Sequence, residues 1–145
     1  MEKLPHLYRV NVSALPEDNL LVSADGLPAL AVAPPRQFDG PGDQWSPEEL
    51  LMAAVANCLV LSFRAIAKAS SFEWLDIECQ SEGVLDKVDR KMQFTTIKTY
   101  VKLTIAASDS AELANKLLHK AEEFCLVSNS LSSQTEIECE IIVAA

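Results

Sequence analysis

The stretch Ser46–Phe63, SPEELLMAAVANCLVLSF, decides more than any other what this chain can become. It opens as helices open. Ser46 stands at the N-cap, Pro47 at the first helical position, and Glu49 three residues after Ser46 completes a capping box. The helical pattern runs to about Ser70. Its apolar residues cover most of the circumference, whereas a surface helix keeps a polar face. A helix of this kind has to be covered on several sides, so it is expected to be central and buried, with the other elements layered around it.

Those other elements read as strands and one more helix. His6–Ser13 alternates polar and apolar residues. Asn19–Ala24 and Leu27–Val32 flank Asp25-Gly26, a strong two-residue hairpin signal. A long loop rich in Pro and Gly follows, APPRQFDGPGDQWSP, and loops of this length in compact domains are often functional. Beyond the central helix, Leu75, Ile77 and Cys79 share one strand face, and Ile97–Ile105 alternates cleanly. Ser108–Ser110 opens a second helix with the stripe Leu113, Leu117, Leu118, Ala121, Phe124 and Cys125. Ile137, Cys139, Ile141 and Val143 form a last strand. The charged run Asp86–Lys91 reads as a solvated loop, and Trp45 and Trp74 as core or pocket walls. The order predicts an α+β domain over 1–145, with mainly antiparallel sheets and a long buried helix.

Charge excludes several functions. The net charge of −9 over 145 residues opposes general nucleic-acid binding and docking on anionic lipid, both of which need a basic surface. The apolar run Leu50–Phe63 is interrupted by Asn57, Cys58 and Ser62 and is shorter than the roughly 18–20 residues that span a bilayer. The first fifteen residues lack the apolar segment of a secretory signal. A cytoplasmic protein is expected, in which four cysteines rest as thiols or as a transient redox pair.

The cysteines separate by context. Cys79 and Cys139 each follow Ile-Glu on an apolar strand face and read as small core residues. No C-x-x-C occurs, and His6 and His119 are the only histidines, so no metal site and no Cys–His nucleophile pair is expected. Cys58 and Cys125 sit on apolar helix faces and, by composition, also read as core. Two features favour chemistry instead. Glu48 is free of the capping role that Glu49 takes, and it lies beside the loop carrying Arg36. Cys125 is followed by LVSNSL, a polar break just beyond the thiol.

The element P-E-x-L-x-x-A-x-x-x-x-C at Pro47–Cys58, the strand FTTIKTYVKLTI and the late C-x-V-S at Cys125–Ser128 together resemble the OsmC/Ohr family of thiol peroxidases. The resemblance covers nearly the whole chain from Trp45 onward. It implies an intertwined homodimer of the OsmC-like fold, with Cys58 as peroxidatic nucleophile and Cys125 as its resolving partner. Glu48, ten residues before Cys58, matches the family's glutamate. The family's arginine precedes a Phe-acid-Gly turn. Here Gln37 precedes Phe38-Asp39-Gly40, so Arg36 or, alternatively, Arg9 takes that place. Leu126 replaces the proline usual after the late cysteine.

The implied reaction reduces an organic hydroperoxide to its alcohol. Cys58 passes through a sulfenic acid to a Cys58–Cys125 disulfide, which a dithiol of lipoyl or other type reduces, without a cofactor. An apolar lining of Leu50, Leu51, Val55, Leu59 and Phe124 would favour alkyl or lipid hydroperoxides. About 15 Å of helical rise separates Glu48 from Cys58, so a composite site with Glu48 from a second copy is expected. The alternative is a protein of the same fold with little peroxidase activity, binding a small apolar ligand or sensing redox state through its thiols.

Overall fold

The computed structural model describes all 145 residues, packed as two compact units, Met1–Leu51 and Met52–Ala145. The first unit is built on a three-stranded antiparallel sheet in the order β1-β2-β3, with β1 at Asn11–Ser13, β2 at Leu20–Ser23 and β3 at Leu30–Val32. The Asp25-Gly26 turn forms as expected. Gly26 supplies the positive φ of 75°, and Leu27 N–H donates to Ala24 at 3.1 Å. The first strand is shorter than its alternation suggests. Leu7 and Tyr8 are exposed, and only the last three residues pair with β2.

After β3 the chain makes a closed loop. Ala33 N–H donates to Trp45 O at 2.9 Å, and Val32 bridges to Trp45, so the two ends of the loop are tied together. Inside it, Arg36–Phe38 form one 3-10 turn, ended by Asp39 in the left-handed region. Gly40 passes close to the backbone. A Cβ there would lie 1.7 Å from Pro34 O, so no larger residue fits this path. Trp45 is not the wall its size suggests; about half its surface is exposed.

Helix α1 runs unbroken over Pro47–Ala69, within one residue of the expected end. Ser46 is fully buried. Its hydroxyl donates to Glu49 Oε1 at 2.8 Å and accepts from Glu49 N–H at 3.1 Å, which engages Glu49 at the cap and leaves Glu48 outside it. The burial is narrower than expected. Only the stripe Val55, Leu59, Phe63 and Ala67, at a spacing of four, is buried, while Leu61 is 58% exposed. At 23 residues the helix is long and apolar enough to cross a membrane, a length that the interrupted sequence run understates. In the fold Leu59, Phe63 and Ala67 of that stripe instead pack into a core with strand and helix residues.

The second unit holds that core. Strands β4 (Asp76–Val88), β5 (Lys91–Ile105) and β6 (Gln134–Val143) form one sheet in the order β4-β5-β6. The charged run Asp86–Lys91 is not a loop. It is the tip of the β4–β5 hairpin, turned on Asp89 and Arg90 at φ 50° and 70°, which suits the right-handed twist of paired strands. Between β5 and β6 run helix α2 (Ala111–Glu123), capped by Ser110, and the single turn α3 (Leu126–Asn129). This helical connection makes β6 parallel to β5, the one parallel pairing among four.

Alternation assigns the two faces of the sheet. Ile97, Val101, Leu103 and Ile105 of β5 are at most 1% exposed, and the last three pack with Leu59, Phe63, Ala114, Leu117 and Leu118. Ile77, Cys79, Ile137, Cys139 and Ile141 flank them on the same face. Phe63 meets Trp74 edge to face, with ring centroids 5.6 Å apart. On the opposite face Lys98 and Lys102 lie on the centre strand, between Glu82 and Glu136 and between Glu78 and Glu140.

Candidate active site

The fold brings together two thiols that lie far apart in sequence. Cys58 sits in the middle of α1, half-buried, one residue before the buried Leu59. Cys125 is only 1% exposed. It is not on α2, where its spacing placed it. The helix ends at Glu123, and Cys125 N–H bonds to Glu122 O at 3.1 Å, so Cys125 becomes the N-cap of α3. Phe124 turns outward with it and is 60% exposed rather than part of the apolar stripe. The Cys58 thiol lies within hydrogen-bonding reach of the Cys125 thiol, and both are free.

Burial pushes the Cys125 thiol above its ordinary range, and the neighbouring Cys58 adds to this. Ser128 opposes both. Its hydroxyl and its N–H face the Cys125 sulfur, although the N–H is not aligned for a capping bond. The other two thiols are quieter. Burial raises Cys79 and Cys139 to about 11, so both are almost wholly protonated at neutral pH. They pair with the same residue, Val101, from opposite sides.

Glu48 is half-buried, and its Oε2 is buried with no hydrogen-bond partner in the chain. An unpartnered carboxylate oxygen of this kind costs free energy on the order of 1–3 kcal/mol or more. The expected arginine does not supply the bond within one chain. Arg36 starts the 3-10 turn, exposed, and its side chain lies across Gly42. A Cβ at Gly42 would fall 2.0 Å from Arg36 Nε. Arg9 is exposed and precedes β1. Because α1 is continuous, the ten residues between Glu48 and Cys58 keep them about 15 Å apart along its axis. No three His, Cys, Asp or Glu side chains stand in a metal-holding arrangement, and His6 and His119 are both exposed.

Two residues near the thiols were not singled out by sequence. Ser128 was visible only as part of the late motif, and the signal was its spacing of three from Cys125, the reach from an N-cap to the third helical residue. Glu122 had no signal. It faces β6, where burial raises its carboxyl above the ordinary 4.5, partly offset by His119 and by a hydrogen bond from Thr135. A raised folded value means that stability is lost as pH rises from the ordinary glutamate range through the folded one. Glu122→Gln keeps the acceptor for Thr135 and removes the charge. Its melting temperature is expected to exceed that of the parent at pH 7, with the gap closing below about pH 4. Thermal unfolding across that range checks this, and equal melting temperatures at pH 7 would contradict it.

Comparison with known proteins agrees with this architecture. The family described as OsmC-like protein matches residues 40–140. The uncharacterised protein YmaD of Bacillus subtilis (strain 168) is 29% identical over 140 residues, spanning 93% of this chain and 87% of that one. Among solved structures, an OsmC-like protein of unknown function from Vibrio cholerae superposes with a TM-score of 0.85 at 18% identity, covering 94% of this chain and all of the other. An organic hydroperoxide resistance protein OsmC from Legionella pneumophila superposes at 0.75 and 23% identity, covering 97% and 99%.

Proposed function

The chain belongs to the OsmC-like protein family, and on that premise we propose that it is a thiol-dependent peroxidase reducing organic hydroperoxides to alcohols. The observation that carries this reading is the Cys58–Cys125 pair, two free thiols in reach of each other, one half-buried and one buried. In the proposed cycle the Cys58 thiolate attacks the distal peroxide oxygen. The O–O bond breaks, the alcohol leaves with a proton, and Cys58 becomes a sulfenic acid. Cys125 then displaces hydroxide as water to form the disulfide, and a dithiol restores both thiols.

The proposed working form is a homodimer with composite sites, located in the cytoplasm. Two observations support the dimer: the bare Oε2 of Glu48, and the exposed apolar side of α1 around Leu61. In this reading a guanidinium, that of Arg36 or Arg9, bonds Glu48 and stabilises the Cys58 thiolate once a second chain is present. The non-peroxidatic reading, a small apolar ligand binder or thiol sensor, draws on the absence of an Arg36–Glu48 bond within one chain.

One experiment separates peroxide chemistry at the thiol pair from ligand binding alone, and turnover with excess dithiol separates a peroxidase from a sensor. The protein is treated with one equivalent of cumene hydroperoxide and its peptides are mapped by mass spectrometry. A loss of two hydrogens joining the Cys58 and Cys125 peptides is expected, and in Cys125→Ser an added oxygen on Cys58. Four thiols left reduced would remove the peroxidase reading.

A further inference from the structure

Two glycines of the first unit share one backbone conformation and have opposite surroundings. Gly26, in the β2–β3 turn, has φ 75°, and a Cβ built on it meets nothing within 4 Å. Gly42 has φ 77°, and a Cβ there would overlap Arg36 Nε and lie 2.8 and 2.9 Å from Arg36 Cγ and Cδ. The Arg36 stem therefore runs flat over the Gly42 backbone, through space that any other residue would fill.

The loop around this contact is held in one shape. Its ends are joined by the Ala33–Trp45 bond, and Ser46, the buried cap of α1, follows directly. Pro35 O accepts from Phe38 N–H and from Gly40 N–H, both at 2.9 Å, and Arg36 O accepts from Asp39 N–H at 3.0 Å. Glu48 lies two residues beyond the cap with its Oε2 unpartnered, so a bond to that oxygen does not set the Arg36 path. Packing on Gly42 sets it. Arg9, by contrast, precedes β1 between Tyr8 and Val10, both more than half exposed.

We propose that Gly42 is a positioning residue: it seats the Arg36 side chain, and the seated Arg36 is the guanidinium that stabilises the Cys58 thiolate in the proposed working form. This rests on the guanidinium–thiolate contact of that reading. A long cationic side chain keeps many rotamers unless packing removes them. A stem already ordered loses less freedom when its head meets an anion. A side chain at position 42 pushes the stem off its seat and restores those rotamers. The charge then stays in the protein but out of place.

The test compares Gly42→Ala with Gly26→Ala, which brings the same left-handed strain with no neighbour to displace. Labelling of Cys58 by iodoacetamide is followed by peptide mass spectrometry from about pH 5.5 to 9.5, so no peroxide chemistry is needed. Arg36→Gln is expected to slow labelling at pH 7 about tenfold, the effect of raising the thiol by one pH unit. Gly42→Ala is expected to slow it about fivefold, the scale of ordering one long side chain, with the inflection moved to higher pH. Gly26→Ala is expected to follow the parent profile. Added to Arg36→Gln, Gly42→Ala is expected to cause no further loss. Buried Cys125 is expected to label slowly in every variant, which a loosened fold would not allow. Gly42→Ala labelled at the parental rate or faster, Gly26→Ala slowed equally, Arg36→Gln at the parental rate, or a further loss in the double variant would each overturn the proposal and leave the peroxidase reading in place. Cumene hydroperoxide left intact by a parent protein whose Cys58 labelling follows Arg36 and Gly42 would remove only the peroxidase reading.

Discussion

Cys58→Ser is expected to bring organic hydroperoxide reduction down to the background rate of buffer while leaving the fold intact. The nucleophile has to be a thiolate, and a serine hydroxyl stays protonated at any pH the protein tolerates. The remaining thiols do not replace it. Cys125 is buried, and Cys79 and Cys139 are held at about 11, so each offers little thiolate to a peroxide. The substitution exchanges one small half-buried group for another, so stability is expected to change by about 1 kcal/mol or less. Consumption of cumene hydroperoxide, measured with excess dithiothreitol, checks this. A Cys58→Ser protein that turned over peroxide at the parental rate would show that Cys58 is not the nucleophile.

The largest effect on stability is expected at Phe63. Its side chain is fully buried on the α1 stripe, against Trp74 and the strand residues of the core. Phe63→Ala removes a ring at a point where helix and sheet meet, and such truncations cost about 3–5 kcal/mol. For a chain of this size that corresponds to a fall of roughly 10 °C in melting temperature. Phe63→Leu keeps most of the volume and is expected to cost less than half as much. Circular dichroism melts at one fixed protein concentration check both. A Phe63→Ala protein melting within 2 °C of the parent, a threshold set at about 0.5 kcal/mol, would contradict the packing.

Which parts of this architecture could be read from sequence follows from which are locally determined. The start of α1 was legible because Ser46, Pro47 and Glu49 act on one another within one turn, and the structure has that cap. The β5 strand was legible because one buried face imposes a period of two. The hairpin tip at Asp89-Arg90 was not, because charge suggests solvent while pairing with β5 decides the backbone. The parallel pairing of β6 was not, because alternation reports a buried face and never the direction of a neighbour. The contact of Cys58 with Cys125 spans 67 residues and exists only through the packing of α1 and the connection after α2. Motif resemblance named the pair; no local rule could. The end of α2 was misplaced because Phe124 and Cys125 continue its apolar spacing, while the chain turns there to start α3.

The placing of Cys79 and Cys139 on either side of Val101 has a consequence for the products that oxidation can yield. Four cysteines admit several disulfide isomers, and a chain that scrambles among them loses part of its population at each cycle. Two strand spacings put the Cys79 and Cys139 backbones about 9–10 Å apart, beyond the roughly 7 Å that a disulfide bridges. With β5 threaded between them these two cannot close on each other. Held at about 11, they also exchange slowly with any disulfide formed nearby. The sheet therefore keeps two of the four sulfurs out of the isomer pool, and oxidation is steered toward a single covalent form.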